Sequence, residues 1–141
     1  MVRVARLVFA GAAWILFAAL ILQVFLAGVG LFVSGDDSFA LHREVGYLLS
    51  LAPILVLGLA FAARASRRTA WFAGGLAVLA FVQSALPSLR DGLPLVAALH
   101  PVNALAVVWL SWQVAGGATA LLRAPMDTAA GSPAGSPAEG V

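Results

Sequence analysis

The sequence predicts an all-α integral membrane protein, a four-helix up-down-up-down bundle. Three observations lead there. Of 141 residues, 62% are hydrophobic and only 10% charged, against about a quarter charged in an ordinary globular domain. The apolar residues form four long blocks, Leu7 to Val33, Val45 to Ala63, Ala70 to Leu86 and Leu93 to Leu122. All eight basic residues are arginines, and they stand at the ends of those blocks.

The first block predicts a span over about 7–33, long enough for about 30 Å of hydrocarbon at about 1.5 Å per residue. Ser38-Phe39-Ala40 has the small-x-small shape of a signal-peptide cleavage site. The apolar run before it is far longer than the core of a signal peptide, so the block is read as a retained span. The second span is expected over about 40–63, with Pro53 as a tolerated kink whose freed carbonyl Ser50 or a neighbour serves. The third, over about 70–87, is short but within the mismatch that snorkelling side chains absorb. The fourth runs over about 93–122. Pro101 either kinks it or marks a fresh helix start. Residues 1–123 thus make one transmembrane domain. Residues 124–141, rich in Pro, Gly, Ser and Ala with Gly-Ser-Pro-Ala repeated at Gly131 and Gly135, are expected to be a disordered cytoplasmic tail.

Arginine placement predicts orientation. Arg3, Arg6, Arg64, Arg67, Arg68 and Arg123 fall on one side, Arg43 and Arg90 on the other. The excess marks the cytoplasmic side, giving a multi-pass plasma-membrane protein with both termini inside. A pI near 10.5 therefore reflects topology, and no nucleic-acid partner is expected; the expected surroundings are lipid. With no cysteine, disulfides, thiolate metal sites and c-type haem attachment are excluded.

Chemistry concentrates on two histidines. His42 lies 22 residues before Arg64 and His100 lies 23 before Arg123, which places both roughly 33–35 Å from the inner boundary. They share a height near the outer face, on alternate helices. Diagonal helices of such a bundle leave a gap that suits a flat cofactor between two axial imidazoles, and haem iron accepts histidine. Gly46, one turn after His42, would let a macrocycle approach the backbone. Arg43 and Arg90 suit outward-directed propionates, and Asn103 is a candidate donor behind His100. His42 and His100 are the expected axial metal ligands, with no catalytic residue singled out. Zinc is a weaker reading, because only Asp36, Asp37, Glu44 and Asp91 could complete four ligands. Interfacial histidines bonded to carbonyls, without any cofactor, remain the plain alternative.

A weak internal repeat accompanies the pair. Gln23 precedes His42 by 19 residues and Gln83 precedes His100 by 17, as a duplication of a helix pair would give. The glutamines read as interhelical hydrogen-bonding glue.

Gln23-Val-Phe-Leu-Ala-Gly28, His42-Arg43, Gln83 and the Leu-Pro-Leu-Val-Ala-Ala-Leu-His100 approach resemble one four-helix half of a haem A synthase, over roughly residues 7–122. The resemblance implies paired histidines on the second and fourth helices holding a b-type haem as cofactor. Oxidation of a haem methyl is not implied. The chain has one half of such a synthase, lacks its outer cysteine pair, and carries Phe39 where the substrate half has an acidic residue.

Three functions follow as expectations. The first is a small haem b protein with an electron-transfer or redox role, passing electrons to a redox partner or acting as a homo-oligomer. The second is a cofactor-free structural or accessory subunit of a larger complex. The third is a small transporter or proton relay, which the scarcity of charge in mid-membrane disfavours.

Overall fold

The structure, a computed structural model, describes residues 2–33, 35 and 37–124. It is helical throughout: α1 Val2–Phe32, α2 Ala40–Leu49, α3 Ala52–Ala62, α4 Arg67–Ala85, a 3-10 turn Leu86–Leu89, α5 Pro94–Ala97 and α6 His100–Arg123. Apart from residue 124, the expected tail lies outside the described residues. Four stretches are long and apolar enough to cross a membrane: Val2–Phe32, Ala40–Ala62, Arg67–Leu89 and Pro94–Arg123, with mean hydropathy of 1.6 to 2.5.

Each end has a local cause. α1 reaches back past Leu7 to include Arg3, which is exposed, and Arg6, which is partly buried against the end of α6. α2 and α3 form one span broken at Ser50–Leu51. Pro53 has no N–H to give and sits in the first turn of α3, where that loss is harmless. Ile54 and Leu55 both donate to the Leu51 carbonyl, at 3.1 and 3.4 Å. The Ser50 hydroxyl donates to the Tyr47 carbonyl at 2.7 Å, so the expected kink is a helix restart served one turn earlier.

α3 ends in a Schellman turn. Arg64 adopts φ 56°, Ala65 N–H reaches the Ala60 carbonyl at 2.9 Å and Arg64 N–H the Phe61 carbonyl at 3.0 Å. This left-handed position usually takes glycine. α4 then starts on Ser66, whose hydroxyl accepts from Thr69 N–H at 3.2 Å. The capped start and the Leu86–Leu89 turn lengthen the third span beyond its apolar block. Arg68 lies over the Phe72 ring at 5.3 Å. Pro101 falls in the first turn of α6, so it marks a fresh helix start.

α1 packs against α3 and α6, and α4 packs against the same two. Neighbours run antiparallel. Arg6 donates to the Leu121 carbonyl, and Trp14 Nε1 donates to Thr119 Oγ1 at 3.0 Å. Trp14, Phe17 and Trp112 cluster at 5.4 to 5.8 Å between ring centroids. On the other flank Phe72 meets Trp109 at 5.8 Å and Asn103 reaches Leu79.

The interior is built from small residues. Half of the buried apolar side chains among the described residues are alanines, including Ala10, Ala60, Ala73 and Ala115. Gly117 of α6 faces Thr69 of α4, and a Cβ there would overlap its side chain. Close helix approach, not burial of large apolar groups, is how helices associate in lipid. The large side chains point outward: Ile15 is 71% exposed, Leu48 81% and Phe81 76%. In water so much apolar surface would drive aggregation; against acyl chains it costs nothing.

Candidate functional site

At the end of the bundle opposite the chain's first residues, α1 meets α2 and α4 meets α6. Each helix pair places a glutamine beside a histidine. In the first pair, His42 Nδ1–H donates to the Gln23 backbone carbonyl at 3.1 Å, and Gln23 Nε2 donates to the His42 carbonyl at 2.9 Å. In the second, His100 Nδ1–H donates to the Gln83 backbone carbonyl, also at 3.1 Å. A carbonyl oxygen can only accept, so each bond assigns a proton to Nδ1, and in the neutral ring the lone pair is then on Nε2. The two rings are 6.3 Å apart between centroids, with planes at 75°.

Beyond the rings the halves differ. The Gln83 amide turns onto its histidine, with Nε2 donating to His100 Nε2 at 3.1 Å. Asn103, one turn after His100, donates to Gln83 Oε1 at 2.7 Å and to the Leu79 carbonyl at 2.9 Å. The chain Asn103–Gln83–His100 therefore satisfies itself. In the first half the position three after the histidine is Val45, which has nothing to donate. Gln23 Oε1 is buried without a partner. Leaving such an acceptor unmet costs about 1–3 kcal/mol.

The expected site residues separate into two groups. His42 and His100 come together, and Asn103 acts on His100 through Gln83. Gly46 abuts Gln23: a Cβ there would lie 2.8 Å from the Gln23 amide nitrogen. The absent side chain thus makes room for the glutamine. Arg43 and Arg90 stay at the rim. Arg43 pairs with Asp37 at 2.6 Å, with both side chains at least half exposed, and Arg90 lies 3.5 Å from Asp91, more exposed still. Such surface pairs contribute about 0–1 kcal/mol.

Two contributions escape sequence reasoning. One is the pair of glutamine main-chain carbonyls, whose only trace is the repeated Gln–His spacing. The other is Phe39, edge-on to His42 at 6.3 Å. Its ring fills the space above Gly30, where a Cβ would come within 2.6 Å.

The arrangement brings together two imidazoles whose Nδ1–H groups both face main-chain carbonyls. A histidine that ligates a metal usually gives its other N–H to a carbonyl or carboxylate, which fixes the tautomer. That is the bonding found at both rings. Two metal–imidazole bonds of about 2.0–2.1 Å in line would put the ring centroids roughly 6 Å apart. The rings stand 6.3 Å apart, close to that separation, but the Gln83 amide already occupies His100 Nε2, and carbonyl-bonded imidazoles are equally what interfacial histidines without a cofactor would show. Among the described residues, no three His, Cys, Asp or Glu side chains converge.

Comparison with curated proteins and with solved structures finds no match. Over residues 23–89 the chain is similar to a family of unknown function (DUF6220), a stretch that holds Gln23, His42 and Gln83 and ends before His100.

Proposed function

We propose that this is a small integral membrane protein that binds haem b between His42 and His100 and serves an electron-transfer or redox role. The observation that carries the reading is the matched pair of Nδ1–H bonds to the Gln23 and Gln83 carbonyls in rings 6.3 Å apart between centroids, with the Gln83 amide on His100 Nε2 as the group a ligand would displace.

In this reading the protein supplies orientation and electronics. The two carbonyls stop the imidazoles from rotating and raise their basicity. Gln83 acts as a competing donor to His100 Nε2, and Asn103 sets where that amide rests. His42 and His100 would hold the haem, which would supply one-electron redox chemistry. Arg43 and Arg90 at the rim are the cations on hand for carboxylate substituents of the ligand, in exchange for their aspartates. The bundle crosses the plasma membrane up-down-up-down, with the histidines near the outer face and both termini cytoplasmic, in keeping with the arginine distribution. A redox partner or a second copy is needed to take the electron onward.

A second reading rests on the self-satisfied Asn103–Gln83–His100 chain. Such a network needs no cofactor to tie α4 to α6, which suits a structural or accessory subunit of a larger complex. One experiment separates them. Protein purified in mild detergent from haem-supplied cells is expected to show Soret and alpha bands, lost in both His42→Ala and His100→Ala. Folded wild-type protein without those bands, or loss in only one variant, contradicts paired ligation.

A further inference from the structure

A second polar feature lies at the opposite end of the bundle, where α1 begins and α6 ends. A cavity of about 310 Å³ opens there, lined by Arg3, Arg6, Leu7, Leu122 and Ala124. A guanidinium has five N–H donors and keeps its charge at any physiological pH. Arg6 uses one of them at the edge of bonding distance, NH1 to the Leu121 carbonyl at 3.3 Å. Its Nε is buried with no acceptor.

No carboxylate among the described residues pairs with either arginine. Among the described residues, the ion pairs are Arg43–Asp37 and Arg90–Asp91, both at the other end. In the sequence no acidic residue precedes Asp36, and after Asp91 the next is Asp127 in the tail. Arg6 thus brings to this cavity a partly buried guanidinium whose terminal nitrogens have N–H donors beyond the one given to Leu121. The planar fork of arginine matches phosphate oxygens two at a time. Basic pockets between membrane helices are where lipid headgroups bind.

We propose that the Arg3–Arg6 cavity binds a phosphate group, that of an anionic phospholipid headgroup in the adjoining leaflet or of a soluble phosphate. The two terminal nitrogens of Arg6 form the bidentate anchor and the more exposed Arg3 closes over the outer oxygens. Leu7 and Leu122 present an apolar edge along which the first methylenes of an acyl chain run. The site does not depend on haem, and it applies whichever leaflet this end meets.

The test uses the full chain in a neutral maltoside detergent at fixed ionic strength. The thermal midpoint is read against added dioleoylphosphatidylglycerol, dioleoylphosphatidylcholine or inorganic phosphate. Phosphatidylglycerol is expected to raise the midpoint saturably and phosphatidylcholine not to. Arg6→Gln should weaken the apparent affinity at least about tenfold, and Arg3→Gln less. Arg90→Gln, at the other end, should match wild type. A response to phosphatidylglycerol alone assigns the phosphate to lipid, whereas an equal response to inorganic phosphate assigns it to a soluble ligand. If Arg6→Gln does not fold, Arg6→Lys keeps the charge without the fork and should still bind more weakly. Equal shifts with both lipids, no shift with any ligand, or an Arg90→Gln loss as large as that of Arg6→Gln overturns the proposal. So does binding that appears only in Asp127→Asn, because the tail carboxylate would then be the occupant.

Discussion

Gly117→Leu is expected to destabilise the bundle by about 3 kcal/mol or more, whereas Gly116→Leu next to it should change stability by less than about 0.5 kcal/mol. The two glycines differ only in what they face. A Cβ at Gly117 runs into the Thr69 side chain, while one at Gly116 meets nothing within 4 Å. Thr69 has little freedom to yield. It is buried, its N–H caps onto Ser66, and the two hydroxyls lie 2.9 Å apart. Chemical or thermal unfolding in detergent measures the difference. Combining Thr69→Ala with Gly117→Ala should cost less than the sum of the single changes, because the alanine makes the space that the new methyl needs.

Gln83→Leu should separate the two functional readings through opposite effects on stability and ligand affinity. In haem-free protein it removes the donor to His100 Nε2 and the acceptor for Asn103, at an expected cost of about 1–3 kcal/mol. The backbone carbonyl that receives the His100 Nδ1 proton remains. In the haem-binding reading the same change frees Nε2, so haem affinity rises while the haem-free protein becomes less stable. In the cofactor-free reading only the stability loss appears. Gln23→Leu is the internal comparison. It sacrifices the bond to the His42 carbonyl but also deletes the orphaned Oε1, so its stability cost should be smaller. Unfolding midpoints together with haem titration of the three proteins measure both quantities.

The bundle is legible in the sequence because its determinants are local and strong. Apolar runs long enough to span a bilayer, interrupted by arginine-bearing joints, leave few alternatives to four helices. Equal histidine depth also follows from counting, since helical rise is fixed. What escaped depends on backbone geometry. Pro53 marked a kink in the second span, but not that the helix stops at Ser50–Leu51 and restarts with the proline in its first turn. The extension of α4 comes from the Ser66 cap and from arginines that hydropathy counts as non-membrane.

At the candidate site the residue types pointed to the histidines but not to what holds them. The acceptors for both imidazoles are main-chain carbonyls of Gln23 and Gln83. Every residue has such a carbonyl, so only the register of one helix against another selects which is used. Gly46 was legible as a place needing space, and its neighbour was not: the Gln23 amide comes from a helix nineteen residues upstream of His42. Arg43 and Arg90, expected to suit propionates, instead lie beside Asp37 and Asp91, nearby aspartates that carry no helical periodicity.

Gln23 and Gln83 hold the two imidazoles as Nδ1–H tautomers, with the Nε2 lone pair of His100 accepting from the Gln83 amide. Nitrogen-15 shifts of the His42 and His100 rings, recorded on haem-free protein at alkaline pH with single-histidine variants for assignment, test it most directly. The account predicts a protonated Nδ1 and an unprotonated Nε2 in both rings. A protonated Nε2 in either ring would contradict it.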